Sequence, residues 1–192
     1  MRAQASSDQR SLVERARRGD HDAFAVLVRG AIGRLDVAAR LILRDPELAR
    51  DAVQDGMTKA WRDLRQLRDP DHFDAWLYRL TVNCCLEALR RRRRRPIEVE
   101  ITALETPTVP DETTSVADRD LIDGVLQRLD AQGRAIVVLH YYLGLSLTEV
   151  AASLGVPVGT VKSRLHRALG DMRTELAPDV PGPVVDVGGM LP

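Results

Sequence analysis

The sequence predicts an all-α protein in which two small helical domains are joined by a flexible acidic linker. Apolar residues recur with helical spacing from Gln9 to Arg95, without the alternation of a half-buried strand, and helical spacing resumes at Leu121. Hydrophobic residues make up 44% of the chain but aromatic residues only 4%, so the cores must consist mainly of Leu, Val, Ile and Ala. The length of 192 residues fits two compact units.

The composition indicates a cellular setting but no ligand. The 28 basic residues balance 28 acidic residues, so the net charge does not indicate an anionic partner. Cys84 and Cys85 are adjacent within a helical pattern, a spacing that suits neither a disulfide framework nor a metal site and indicates reduced thiols. No apolar run approaches the roughly 20 residues that cross a bilayer, and the N-terminus lacks a signal-peptide core. We therefore expect a cytoplasmic protein without membrane insertion.

The first domain, residues 1–96, carries two helix-start signals. In Asp45-Pro46-Glu47 and again in Asp69-Pro70-Asp71, an aspartate can cap free amides, and proline is tolerated in the first turn. Together with the apolar periodicity, these signals predict helices at residues 9–18, 20–43, 46–66 and 71–95. Trp61 and Trp76 lie on apolar stripes, which favours core packing over base stacking.

A change of composition separates the two domains. Residues 97–116 contain several glutamates, prolines and threonines, which predicts the flexible acidic linker. The linker is either a soluble spacer or a segment that lies in a positively charged channel meant for nucleic acid. Helical spacing covers the second domain, residues 117–177, and Gly144 within it suits a left-handed helix end. Residues 178–192 are rich in Pro, Gly and Val without periodicity, so we expect a disordered tail.

The second domain contains a helix-turn-helix pattern. Ser146-Leu147-Thr148-Glu149 forms a capping box that starts one helix, Gly155 allows a tight turn, and a second helix follows from about Val158. Basic and hydroxyl side chains on the second helix suit phosphate and base edges in the major groove. The predicted DNA contacts are Thr160, Lys162, Ser163, Arg164, His166 and Arg167. The alternative is a structural helical hairpin with a solvated basic face.

Six consecutive arginines, Arg90 to Arg95, end the first domain. Cations complement the negative end of a helix dipole, so one interpretation is a solvated helix terminus. Mutual repulsion among six charges would, however, be relieved by an anionic partner, and a second DNA-binding pattern lies in the same chain. We therefore interpret Arg90 and Arg91 as phosphate contacts.

No residue pattern in the chain indicates catalysis. The sequence lacks a nucleophile paired with a base, a metal-ligand cluster and a phosphate-cradling glycine loop. We expect no enzymatic activity, cofactor or bound metal. Two other protein classes also carry a helix-turn-helix. One is a free-standing repressor or activator that binds operator DNA as a dimer, and the other is a nucleic-acid-processing enzyme, which would need metal ligands near the arginine run.

Residues 19–176 closely resemble the extracytoplasmic-function (ECF) group of RNA polymerase sigma factors, in the sigma-70 family, which keep two helical domains called region 2 and region 4. The resemblance rests on three ordered blocks. They are Asp51-Ala52-Val53-Gln54-Asp55 with Ala60-Trp61, Phe73-Asp74-Ala75-Trp76-Leu77-Tyr78-Arg79 with Asn83, and Pro157-Val158-Gly159-Thr160-Val161-Lys162-Ser163-Arg164-Leu165-His166-Arg167-Ala168. The resemblance implies a subunit that recruits core RNA polymerase to promoters and helps open the DNA.

The resemblance also implies a role for each surface. The residues that would dock on the beta-prime clamp helices of core polymerase are Asp51, Gln54 and Asp55. Arg79 and Asn83, with the arginine run, would read and open the −10 element, and the loop at residues 65–72 would capture an unstacked base. The Thr160–Arg167 face would read the −35 element. By the same analogy, the linker would follow the RNA exit path, region 4 would contact the beta flap, and an anti-sigma factor would inhibit the protein.

Three segments depart from the family pattern. Gly30-Ala31-Ile32-Gly33-Arg34 stands where the family usually carries aromatic residues, and Gly56-Met57 replaces bulkier residues in the docking helix. Glycine within a helix costs about 1 kcal/mol relative to alanine. Thr81-Val82 stands where a basic residue often precedes the asparagine, so we expect weaker or altered recognition of the −10 element.

Overall fold

The computed structural model describes residues 2–94 and 124–176, and all regular secondary structure in these ranges is helical. This confirms the predicted all-α class. The predicted linker at 97–116 and tail at 178–192 lie outside the described residues. None of the described helices is long and apolar enough to span a membrane.

The first unit contains four α-helices and two short turns of 3-10 helix. The α-helices are α1 (Arg2–Arg17), α2 (His21–Leu43), α3 (Pro46–Asp63) and α4 (Phe73–Arg94). The 3-10 turns, Leu64–Gln66 and Pro70–His72, lie in the connection from α3 to α4. We call residues 64–72 the α3–α4 loop.

The two predicted helix starts differ in how the aspartate binds the backbone. Asp45 accepts a hydrogen bond from the amide of Leu48, three residues on, at 3.1 Å, and an α-helix begins at once. Asp69 instead accepts from the amide of Asp71, two residues on, at 3.0 Å. This tighter Asx-type turn favours a 3-10 turn, so α4 begins at Phe73 rather than at the predicted residue 71.

The second unit is built around the helix-turn-helix. Its helices are α5 (124–128), α6 (Ala131–Val137) with a π-helical turn (Val138–Tyr142), α7 (Leu147–Leu154) and α8 (Val158–Leu176). Gly144 and Gly155 adopt φ of +75° and +65°, which confirms that both occupy the left-handed positions predicted for them. Four fully buried side chains from these helices form the centre of the unit: Ile136, Leu139, Val150 and Val161.

Helices α3 and α4 make the most extensive contact in the first unit. They approach closely because Gly56 on α3 faces Thr81 on α4. A Cβ atom added at Gly56 would lie 2.6 Å from Oγ1 of Thr81 and 3.0 Å from its Cα. Thr81 is buried, and its hydroxyl donates to the carbonyl of Leu77 at 3.1 Å. Gly56 and Thr81 belong to two of the segments that depart from the family pattern, and these segments are therefore in contact with each other.

The two units pack against each other, with α6 against α2 and α7 against α4. Arg134 of α6, only 8% exposed, lies in this joint. Its guanidinium donates to the carbonyl of Ile42 in the last turn of α2 at 2.9 Å, and also to the carbonyls of Leu126 and Leu129 at 3.2 and 3.5 Å. Carbonyls at helix C-termini carry partial negative charge, so one cation joins the ends of α2 and α5.

A second arginine crosses the same joint. Arg34 of α2 donates to the carbonyl of Tyr142 in the π-helical turn at 3.1 Å, and its guanidinium carbon lies 5.6 Å from the centre of the Tyr78 ring. This residue belongs to the segment that departs from the family's aromatic pattern. In this chain the segment therefore supplies a polar contact between the units.

We predict that Gly56→Ala lowers the free energy of unfolding by about 2 kcal/mol, because the added methyl group overpacks the contact with Thr81. Gly30→Ala is the matched control, since Gly30 is also within a helix but a Cβ there meets no atom within 4 Å. That change should stabilise the protein by up to about 1 kcal/mol through helix propensity. Urea denaturation measures both. Equal effects of the two substitutions would contradict this account, and adding Thr81→Ala to Gly56→Ala should restore part of the loss.

We predict that Arg134→Met lowers the free energy of unfolding by about 2 to 3 kcal/mol, because buried carbonyls at two helix ends lose their donor. The distance between fluorophores placed on the two units should also increase. Arg173→Met, at an exposed position of α8, is the control for removing one positive charge. An unchanged stability and an unchanged energy-transfer efficiency for Arg134→Met would show that the joint does not depend on this side chain.

Candidate nucleic-acid interface

The first helix of the helix-turn-helix is fixed by the predicted capping box. The backbone amide of Ser146 donates to the Glu149 carboxylate at 2.8 Å, and the amide of Glu149 donates to the Ser146 hydroxyl at 3.3 Å. The Ser146 hydroxyl, which also donates to this carboxylate, and the Ser146 amide lower the pKa of Glu149. The carboxylate form is thus stabilised at the positive end of α7.

The turn between α7 and α8 fixes the direction of the second helix. The amide of Gly155 bonds back to the carbonyl of Ala151, in the manner of a left-handed helix cap. α8 then buries an apolar stripe, formed by Val161, Leu165 and Ala168. This stripe packs against the rest of the second unit, and it places the basic residues of α8 on the other side.

The structure places the six candidate −35 contacts on the outward side of α8. Lys162, Ser163, His166 and Arg167 are exposed, while Thr160 and Arg164 are half-buried. The Ser163 hydroxyl donates to the Thr160 carbonyl at 3.0 Å. Among the described residues, Lys162, Arg164 and Arg167 have no carboxylate partner within salt-bridge distance. Three cations on one helix face are therefore available to an external anion.

The candidate −10 contacts follow the length of α4. Arg79 and Asn83 are half-buried, whereas Arg90 and Arg91 are exposed. Arg91 lies 4.0 Å from Asp55 on α3 and 3.8 Å from Glu87 on its own helix. Such exposed ion pairs contribute about 0 to 1 kcal/mol, so a phosphate can replace them.

The candidate polymerase-docking residues Asp51, Gln54 and Asp55 are exposed on the side of α3 that faces away from the core. The buried side of the same helix consists of Ala49, Ala52, Val53, Gly56 and Ala60. The structure thus presents the three candidates on one accessible face. It also brings Asp55 next to Arg91, so a docking candidate and a DNA-contact candidate are neighbours.

The two tryptophans pack as the sequence predicts. Trp76 is buried beside Phe73, with ring centres 6.1 Å apart. Trp61 is half-buried against α2, where its ring stacks on His21 at 4.2 Å and meets the edge of Phe24 at 5.1 Å. Both rings are thereby engaged within the first unit.

Sequence reasoning missed the residues that hold the α3–α4 loop. The Arg17 guanidinium of α1 donates to the carbonyls of Leu64 and Leu67, and Arg10 forms an ion pair with Asp71 at 2.6 Å. Arg17 is one of several arginines at the end of α1, and no local pattern distinguishes it from its neighbour Arg18. Only the position of the α3–α4 loop against α1 in the folded protein identifies Arg17 as the residue that contacts the loop.

The described residues include no cluster of three or more potential metal ligands. Cys84 and Cys85 are both buried free thiols. Burial raises the pKa of Cys85 to about 12, so its thiolate is scarcely populated at neutral pH.

Comparison with known proteins connects both units to one family. Residues 27–95 match the family described as Sigma-70 region 2, and residues 119–172 match Sigma-70, region 4. The ECF RNA polymerase sigma factor SigM of Mycobacterium tuberculosis is 38% identical over 150 residues, which are 78% of this chain and 75% of SigM. The RNA polymerase sigma-E factor of Streptomyces avermitilis is 36% identical over 139 residues, 72% of this chain and 76% of that factor.

Solved structures of two related proteins have a similar fold. The sigma factor RpoE of Bartonella quintana, solved in complex with the anti-sigma factor NepR, aligns with a TM-score of 0.67 and 25% identity, over 82% of this chain and 98% of that chain. CnrH, solved in complex with the cytosolic domain of CnrY, aligns with a TM-score of 0.65 and 29% identity, over 90% of this chain and 99% of that chain.

Proposed function

This chain belongs to the ECF group of the sigma-70 family, and we propose how its individual surfaces divide the work of directing RNA polymerase to promoters. The observation that carries the assignment is the accessible basic face of α8. α8 is the second helix of a helix-turn-helix. The three cations on this face, Lys162, Arg164 and Arg167, have no carboxylate partner among the described residues. We assign region 2 to residues 1–96 and region 4 to residues 117–177, with the linker between them.

Region 4 contacts the −35 element through α8. Lys162, Arg164 and Arg167 neutralise phosphates or donate to guanine, and Thr160 and Ser163 at the start of the helix reach phosphate or base edges. His166 lies on the same exposed face. Because α8 follows a rigid turn and a capped α7, its N-terminal end enters the major groove in a defined orientation.

Region 2 reads and opens the −10 element through α4 and the α3–α4 loop. Arg79 and Asn83 contact bases or backbone, Arg90 and Arg91 neutralise phosphates, and the loop accepts an unstacked base. Extruding a base costs a few kcal/mol, so a loop of defined shape is needed to compensate. The neighbouring face of α3, with Asp51, Gln54 and Asp55, docks on the beta-prime clamp helices of core polymerase, while region 4 contacts the beta flap.

Binding both promoter elements requires the two units to separate. The names of the −10 and −35 elements place them about 25 base pairs apart. At ~3.4 Å per base pair, this corresponds to roughly 85 Å. A compact chain of this length has a radius of gyration of only about 16 Å. The joint at Arg134 therefore opens when the protein engages polymerase and promoter, and the linker at 97–116 spans the gap.

The protein acts without catalysis of its own and in the cytoplasm, where core polymerase is found. An anti-sigma factor regulates it. This last proposal is supported by one solved relative, the sigma factor RpoE, whose structure was determined in complex with the anti-sigma factor NepR. A partner of this kind would be expected to cover the docking face of α3 or the contact face of α4.

Reconstitution with core polymerase tests the assignment. We expect the chain to bind core polymerase lacking any sigma subunit and to start transcription at specific sites. Asp55→Lys should weaken core binding about tenfold, since it reverses a charge on the docking face, whereas Asp171→Lys on α8 should leave core binding unchanged. Tight binding to duplex DNA as a dimer, with no association with core, would instead identify a free-standing repressor or activator.

We predict that Arg164→Ala lowers initiation about tenfold at promoters that carry a −35 element, because one phosphate or base contact is lost. Arg173→Ala, an exposed arginine in the last turn of the same helix, is the control and should keep wild-type activity. Run-off transcription on promoters with intact and scrambled −35 elements measures the effect. If the Arg164 variant and the wild type respond identically to scrambling, α8 does not read the −35 element through this residue.

A further inference from the structure

Helix α1 lies against the α3–α4 loop, although it precedes the residues matched to region 2. Val13 and Ala16 on its inner side are buried. The side-chain amide of Gln9 donates to the carbonyl of Pro70 at 3.4 Å, and Arg10 pairs with Asp71 at 2.6 Å. The first helix therefore holds the C-terminal end of the loop.

Arg17, at the other end of α1, holds the near end of the loop. Its guanidinium donates to the carbonyl of Leu64 at 3.5 Å and to the carbonyl of Leu67. In return, the guanidinium of Arg65 donates to the carbonyl of Arg17 at 3.4 Å. Leu64 follows the last residue of α3, so the cation also lies at the negative end of that helix dipole. A planar guanidinium can bridge two acceptors in this way, whereas an ammonium group is a single point charge.

These contacts fix which loop residues point inward and which remain accessible. Leu64, Leu67 and Pro70 are buried, whereas the intervening polar residues are exposed: Arg65, Gln66, Arg68 and Asp69. A loop held in this alternating arrangement loses little conformational entropy when it binds a ligand. Its exposed donors are therefore arranged before any DNA arrives.

We propose that Arg17 is a positioning residue for promoter recognition, which holds the α3–α4 loop in the shape that accepts the unstacked −10 base. The proposal rests on the function proposed above for this loop. Arg17 acts through the carbonyls of Leu64 and Leu67 and need not touch DNA itself. Its removal therefore impairs discrimination between bases at the −10 element and leaves recognition of the −35 element intact.

The experiment compares holoenzymes reconstituted from the full-length wild type, Arg17→Ala, Arg17→Lys and Arg18→Ala. Arg18 is the matched control, because it directly follows the last residue of α1, is exposed, and forms no side-chain hydrogen bond or ion pair with the described loop residues. Open-complex formation is followed by 2-aminopurine fluorescence on promoters with each base at the captured −10 position, and on promoters with a scrambled −35 element. Binding to core polymerase and thermal unfolding are measured in parallel.

We expect Arg17→Ala to reduce the preference for the best −10 base over the others by about tenfold, since one mismatch is normally worth that much or more. Arg17→Lys should fall between Arg17→Ala and the wild type, because an ammonium can reach one of the two carbonyls. Arg18→Ala should match the wild type. The response to scrambling the −35 element and the affinity for core polymerase should stay unchanged in all four proteins.

Two results would overturn the proposal. One is a wild-type base preference in Arg17→Ala, and the other is a uniform loss of initiation on every promoter, which would indicate a purely structural residue. If Arg17→Ala does not fold, the same test is made by comparing the −10 base preference of Arg17→Lys with that of Arg18→Ala. A wild-type holoenzyme that shows no base preference at this position would disprove the function of the loop itself, and the inference about Arg17 with it.

Discussion

The close approach of α3 and α4 at Gly56 and Thr81 is the constraint on which the first unit depends. Small side chains line the contact, and an interior packed this densely behaves as a rigid solid. The outer face of α3 carries the proposed polymerase-docking residues, and α4 carries the proposed −10 contacts. Because one tight contact sets the spacing of both helices, docking on polymerase also determines where α4 is presented to the promoter.

The joint between the units is built on a different principle. Arg134 and Arg34 cross it by donating to backbone carbonyls, so much of the specificity of the joint is polar. Burial lowers the pKa of Arg134, because its charge is removed from water. In the proposed separation of the units, the guanidinium and the carbonyls would regain hydration, and the net cost of breaking each hydrogen bond is about 1 kcal/mol. A polar joint of this kind specifies the packed arrangement and can still be opened.

The parts of the structure that the sequence predicted are those determined locally. The caps at Asp45 and Ser146 and the turn at Gly155 depend on residues within a few positions along the chain, so their patterns were sufficient. From the sequence, Gly56 could be interpreted only as a residue that lowers the stability of its own helix. Its packing role depends on Thr81, which lies on α4. Arg134 stands within an apolar pattern, but its acceptor on Ile42 is 92 residues away. Such contacts are set by the packing of whole helices, and no local pattern contains them.

The distribution of charge explains why such a protein needs polymerase to find its sites. The net charge is zero, so the chain as a whole gains little long-range attraction to DNA. The cations proposed to contact DNA lie on α8 and along α4, where Arg91 already faces Asp55. Each face neutralises only a few phosphates, and binding strength grows with the number neutralised. Useful affinity therefore requires both faces to act at once, and the proposed separation of the two units on core polymerase would supply the geometry in which they can.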